Sequence, residues 1–203
     1  MATPPRPYPC PCVKPSPEVW ARDYNAEDMD VRRDRVQRLP ASVSVGVLAT
    51  VTMDLAFLAA SRFGGAAFNS TKIGPELVGR WAVGLAHGRV RHDDIETEEP
   101  VRGEAAVGLA VHYFTGVALT QAYYWMLPRR SQGSGGVAAA SAYGVATALL
   151  PFLVMYPSWG IGVFALRSGE ASRVARIMLL GHTVFGAGIG LWTALLRGRS
   201  APS

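Results

Sequence analysis

Four long stretches without charged residues constrain this chain more than any other feature. Residues 105–127, 137–166 and 177–196 contain no Asp, Glu, Lys or Arg, and residues 41–60 contain only Asp54. About 18 such residues suffice for a helix to cross roughly 30 Å of hydrocarbon. The pattern predicts an all-α, polytopic membrane protein, a bundle of four transmembrane helices at about 41–60, 105–127, 137–156 and 177–196.

The alternative is a soluble helical bundle, and composition disfavours it. Charged residues make up 17% of the chain, whereas soluble proteins carry charges at about a quarter of positions. A soluble bundle needs helices with a polar stripe, and the stretches that begin at Val137 and Ile177 have none. Glycines such as Gly186 would weaken a helix in water, but in lipid they let helices approach closely.

The two ends of the chain differ from the middle. Residues 1–40 combine clustered prolines with mixed charges, which predicts a disordered N-terminal tail without the apolar core of a signal peptide. Cys10 and Cys12 lack the second ligand pair of a zinc site, so free thiols are favoured. Residues 197–203 form a short basic tail.

Arginines predict the orientation. They cluster before the first span, form the whole charge of the second connection (Arg129 and Arg130), and follow the last span (Arg197 and Arg199). Cytoplasmic connections are rich in Lys and Arg, so both termini are expected in the cytoplasm. Aromatic residues beside the span ends, including Tyr123 and Trp159, predict interfacial belts. Pro151 and Pro157 predict a kink and then a turn in the third span.

The first connection, residues 61–103, predicts a short amphipathic helix. Apolar residues recur at helical spacing over 76–86 with Arg80 opposite, as in a helix lying at the outer interface. The charged residues of this helix and of the segment after it predict either a lid over the intramembrane polar residues or a contact with anionic lipid headgroups. The alternative is a solvated loop with local ion pairs, which contribute little to stability. The candidate contacts are Arg80, His87, Arg89, Arg91 and His92.

Three titratable residues lie inside the predicted spans: Asp54, His112 and His182. At 1.5 Å per residue they lie about 9, 10 and 8 Å from the outer ends of their helices, so they share one level. Such groups usually face a partner or a cavity, because they are costly in lipid.

Three interpretations of this cluster stay open. It can be structural, with hydrogen bonds that hold the helices together. It can be a proton or ion relay in a small transporter. It can also bind a metal, haem or another His-ligated cofactor through His112 and His182.

Six sequence blocks resemble a known family. They lie at 77–81 (LVGRW), 88–92 (GRVRH), 100–104 (PVRGE), 112–116, 151–157 and 181–186 (GHTVFG). In this order they are similar to domain-of-unknown-function family 2938, small bacterial membrane proteins, over about residues 43–196. The resemblance implies an integral membrane location and no activity or site residue. We expect the membrane to be the bacterial inner membrane.

The functional expectation therefore remains general. Walker, Rossmann, zincin and GxSxG patterns are absent from the sequence, which disfavours an enzyme. The net charge of +5 is explained by basic residues at the edges of the membrane spans, so it does not indicate binding to nucleic acid. The sequence favours a non-catalytic membrane component with no cofactor, whose partners are the bilayer and another membrane protein or a second copy. The alternative is a small transporter or cofactor-binding protein.

Overall fold

The computed structural model describes residues 41–65, 74–126 and 136–198, and all regular structure in these ranges is helical. The helices are α1 (Ala41–Phe63), α2 (Pro75–Ala86), α3 (Glu104–Met126), α4 (Gly136–Ser158) and α5 (Ala171–Gly198). All except α2 are long and apolar enough to cross a membrane. The prediction of an all-α membrane protein with four spans is confirmed.

Some predictions lie outside the described residues. They concern the tail at 1–40 with Cys10 and Cys12, the basic pair Arg129 and Arg130, and most of the basic C-terminal tail. At the C-terminal boundary, α5 continues to Gly198, two residues beyond the predicted span.

Helices α1 and α3 run antiparallel. Near the start of α1, the hydroxyl of Ser42 donates a hydrogen bond to Gln121 near the end of α3. Further along α1, Asp54 meets His112, nearer the start of α3. Residue numbers rise along one helix as they fall along the other, so the two helices point in opposite directions across the bundle.

Helices α4 and α5 also run antiparallel and cross on glycines. A Cβ atom built on Gly186 would lie 2.2 Å from the carbonyl oxygen of Ala140, and one on Gly144 would lie 2.1 Å from that of His182. Real atoms do not approach so closely, so glycine is required at both positions. Small residues at such crossings let membrane helices pack backbone to backbone.

The short helix α2 packs against the first turns of α3. A Cβ atom on Gly79 would lie 1.7 Å from the carbonyl oxygen of Glu104, and one on Gly108 the same distance from that of Pro75. Helix α2 therefore runs antiparallel to the start of α3, with its first residue level with Gly108. The predicted helix is present, and its N-terminus reaches one turn into the span.

Pro151 changes the geometry of α4. Residues Pro151–Met155 form a turn of π-helix, because proline has no N–H to donate. The helix ends at Ser158, and Trp159 is 1% exposed in a cluster with Phe152 and Tyr156. The prediction of Tyr123 and Trp159 as interfacial belts is wrong, since both are 1% exposed. The chain turns back over the end of α4 and buries the indole of Trp159, and Tyr123 packs in the core between the helices.

A candidate intramembrane binding site

Asp54 is held by two donors from α3. Its Oδ1 lies 2.9 Å from Nε2 of His112, and its Oδ2 accepts a hydrogen bond of 2.9 Å from the hydroxyl of Tyr113. The neighbouring His112 and Tyr113 rings pack edge to face at 5.6 Å. An ionised carboxylate can only accept, so the imidazole donates from Nε2. Both oxygens of the carboxylate are therefore satisfied within the span.

His182 has a different partner. Its Nδ1 lies 2.8 Å from the hydroxyl oxygen of Thr147, which itself donates to the carbonyl of Gly144 at 2.6 Å. Because that hydroxyl proton is engaged, the Thr147 oxygen accepts from Nδ1–H of His182. The other ring nitrogen, Nε2, is then an acceptor.

One cavity connects the three predicted residues. It measures about 630 Å³ and is lined by all five helices, with Asp54, His112 and His182 in its wall. Its size lies within the range of about 300 to 1,000 Å³ that is typical of small-molecule sites. The wall is mostly apolar, with contributions from Phe57, Val78, Leu109, Val154 and Phe185.

The segment after α2 closes one end of the bundle, and we call residues 87–103 the cap. Its Ile95 is fully buried among Phe152, Tyr156 and Trp159. Backbone hydrogen bonds join Ile95 to Trp159 at 3.1 Å and His92 to Ser158 at 2.8 Å. Since Trp159 and Tyr156 also line the cavity, the cap covers the cavity from this end.

A buried ion pair anchors the cap. Arg80 contacts both carboxylate oxygens of Glu104, at 2.9 and 2.8 Å, and also donates to the carbonyls of Ile95 and Glu98. The hydrogen bonds that Arg80 donates to Glu104 raise the pKa of Arg80 above its ordinary value, so the guanidinium stays charged. The sequence placed Arg80 on the outward face, but it is only 7% exposed and faces inward.

The other predicted loop contacts divide into two groups. His87, Arg89 and Arg91 are exposed. His92 is buried, with Nδ1 2.7 Å from Glu98, whose carboxylate also accepts from Arg89 at 2.8 Å. A headgroup contact through His87, Arg89 and Arg91 therefore remains a prediction, while His92 and Arg80 hold the cap.

Sequence reasoning missed Tyr113, Thr147 and Glu104. Tyr113 follows His112 directly, but one hundred degrees of helical rotation separate neighbours, so their adjacency in the chain does not by itself indicate a shared partner. Glu104 was counted as the border of a span. Its spacing from Arg80 in the chain gave no signal of contact, because the connection between them has no regular structure.

The described residues offer no metal centre. Within 41–65, 74–126 and 136–198, no three His, Cys, Asp or Glu side chains lie close enough to hold one ion. Nε2 of His112 is engaged by Asp54, and Nδ1 of His182 by Thr147. Ligation by His112 and His182 stays an untested prediction from the sequence.

Comparison with known proteins identifies a family for most of the chain. The family model described as "Protein of unknown function (DUF2938)" matches residues 43–196. No curated protein and no solved structure matches the chain.

Proposed function

Since the chain belongs to the DUF2938 family of proteins of unknown function, we propose a function from its geometry: a small proton-linked membrane carrier. The Asp54–His112 pair takes up and releases the proton, and the adjoining cavity holds the transported molecule. The carrier lies in the inner membrane of a bacterium with both termini in the cytoplasm, as the arginine distribution predicts.

The observation that carries this proposal is an ionisable pair that opens onto a cavity. The side chains of Asp54 and His112 are 36% and 32% exposed, and both line the cavity wall. A charged group at the centre of a span costs about 3 kcal/mol on insertion scales. A purely structural bond could use neutral partners at lower cost, so an ionisable pair beside a cavity favours proton exchange.

A specific observation favours a second candidate, a non-catalytic membrane component. Other polar pairs join the spans without a carboxylate or a histidine in the bond, such as Tyr124 with Thr193 at 2.7 Å and Trp192 with Thr52 at 3.1 Å. Bonds of this kind stabilise helix packing by about 0.6 to 2 kcal/mol. Under this alternative, Asp54 and His112 only hold α1 to α3.

Infrared spectroscopy of the purified protein tests the proton exchange that the carrier proposal requires. We expect a carboxyl stretching band that appears and disappears reversibly with pH, that is lost in Asp54→Asn, and whose midpoint shifts in His112→Gln. The control Glu99→Gln changes an exposed carboxylate of the cap and leaves this band in place. If no band assigned to Asp54 titrates while the protein stays folded, the carrier proposal fails and the structural role stands.

A further inference from the structure

The cavity has an opening on one side of the bundle. Helices α3 and α4 meet at one end, where the hydroxyl of Tyr143 donates to the carbonyl of Leu119 at 2.7 Å and the rings of Tyr143 and Tyr123 lie 5.1 Å apart. Nearer the cap, Leu109 of α3 and Val154 of α4 line the cavity and are 50% and 57% exposed. A gap therefore separates α3 from α4 at the level of the cavity.

This opening faces hydrocarbon rather than water. Leu109 and Val154 both lie within helices that are long and apolar enough to span the membrane, where no bulk water is present. The cap closes one end of the bundle through Ile95. At the other end, Tyr123 and Tyr124 are buried between the helices. The side between α3 and α4 is thus the route that these contacts leave open.

We propose that the cavity takes a lipophilic alcohol from the membrane through the gap between α3 and α4. This inference names the substrate class and rests on the proposed carrier function. The apolar body of the molecule lies against Leu109, Val154 and Phe185, and its hydroxyl group lies among the polar side chains of the wall.

The donor and acceptor pattern selects a hydroxyl group. Nε2 of His182 is an acceptor because Nδ1 donates to Thr147, and the hydroxyl of Thr115 lines the same cavity. A single hydroxyl group both donates and accepts, so it matches this pair. Sugars and ions need many polar contacts at once, and a wall that is mostly apolar does not supply them.

Tryptophan fluorescence of the full chain in nanodiscs tests the proposal, because Trp81 and Trp159 line the cavity. The probes are a brominated long-chain alcohol and the brominated alkane of equal length, since bromine quenches indole on contact. The measurements use the background Trp20→Phe, Trp125→Phe and Trp192→Phe, which leaves only Trp81 and Trp159 of the five tryptophans, so that the signal comes from the cavity wall. We expect saturable quenching by the alcohol, with a midpoint about tenfold lower than that of the alkane, as one hydrogen bond provides.

Two variants define the site. His182→Leu removes the acceptor, so the alcohol loses its advantage over the alkane. Val154→Phe narrows the opening and weakens both probes, whereas the control Leu195→Phe, on an exposed position of α5 outside the cavity, changes neither.

Several results would overturn the proposal. Equal quenching by both probes means that the cavity is filled by acyl chains without recognition, and quenching that does not saturate means that there is no site. The infrared titration of Asp54 tests the carrier function independently of the fluorescence measurements. A titrating Asp54 with no alcohol preference therefore removes the substrate class alone, and alcohol binding with a silent Asp54 removes the carrier function.

Discussion

Nε2 of His112 lies 2.9 Å from Oδ1 of Asp54, and this bond ties α3 to α1 inside the span. The hydroxyl of Tyr113 supports it from the other carboxylate oxygen. Because the carboxylate faces the cavity and accepts a hydrogen bond at each oxygen, the same contact serves helix packing and the proposed proton exchange. Substitutions at Asp54, His112 or Tyr113 are therefore expected to change both the stability of the bundle and the proposed proton exchange, and the two effects are measured separately.

Tyr113→Phe should destabilise the protein by about 0.6 to 1.7 kcal/mol, since it removes one hydrogen bond within the membrane. The measurement is unfolding in mixed micelles with increasing SDS. The matched control is Tyr156→Phe, because the buried hydroxyl of Tyr156 has no partner among the described residues. The control should be neutral or slightly stabilising. Equal losses in both variants would contradict the assigned bond.

Gly186→Ala should separate α4 from α5. The new methyl group would lie 2.2 Å from the backbone of Ala140, and overpacking of this kind costs about 1 to 3 kcal/mol. The same SDS titration measures it. Gly136→Ala is the control, because no atom outside its own turn lies within 4 Å of the added Cβ atom. A tolerated Gly186→Ala would show that the crossing is looser than described.

Removing one partner of the Arg80–Glu104 pair should cost about 3 to 5 kcal/mol, because a buried charge is left alone. Arg80→Met with Glu104→Met together should cost much less than the sum of the single changes. A double-mutant cycle on unfolding free energies measures this coupling. The partly exposed pair of Arg173 with Glu170, at 2.8 Å and with side chains 35% and 32% exposed, is the comparison and should show about 0.5 kcal/mol or less. Additive single changes at Arg80 and Glu104 would argue against a buried pair.

Labelling of single cysteines tests the orientation. With Cys10 and Cys12 replaced by Ser, a cysteine at Glu99 in the cap should react with a membrane-impermeant thiol reagent added to intact cells. A cysteine at Ser134, in the connection between α3 and α4, should react only after lysis. The reason is that one span separates the two positions. Labelling of both in intact cells would contradict the four-span topology, and the reverse pattern would invert the orientation.

The helices themselves were predictable from short-range information. Uncharged stretches gave the four spans, and the observed helices begin within one residue of three of them. The exception is the last, which starts at Ala171 instead of 177. Arg173 and Arg176 excluded that first stretch from an uncharged window, although arginines at the edge of a membrane can extend a helix by reaching toward the headgroups.

The sequence predicted which residues form the site, but not which hydrogen bonds they make. A shared depth follows from counting residues along helices that alternate in direction, so the sequence brought Asp54, His112 and His182 to one level. The depth of a residue in the membrane does not tell in which direction around the helix axis its side chain points. The packing of α1 on α3 decided that Asp54 bonds to His112 and Tyr113, and the packing of α5 on α4 decided that His182 bonds to Thr147.

The sequence alone determined that this chain is a helical membrane protein, because the cost of charge in hydrocarbon acts on each residue separately. The tertiary structure decided what lies inside. Trp159 looked like an interfacial anchor and Arg80 like a solvent-facing charge, yet both are buried. The cap folds onto the end of α4 and brings Ile95 to Trp159, whereas the packing of α2 on α3 brings Glu104 to Arg80. Contacts between residues far apart in the chain depend on how helices pack, and local sequence patterns carry no record of that.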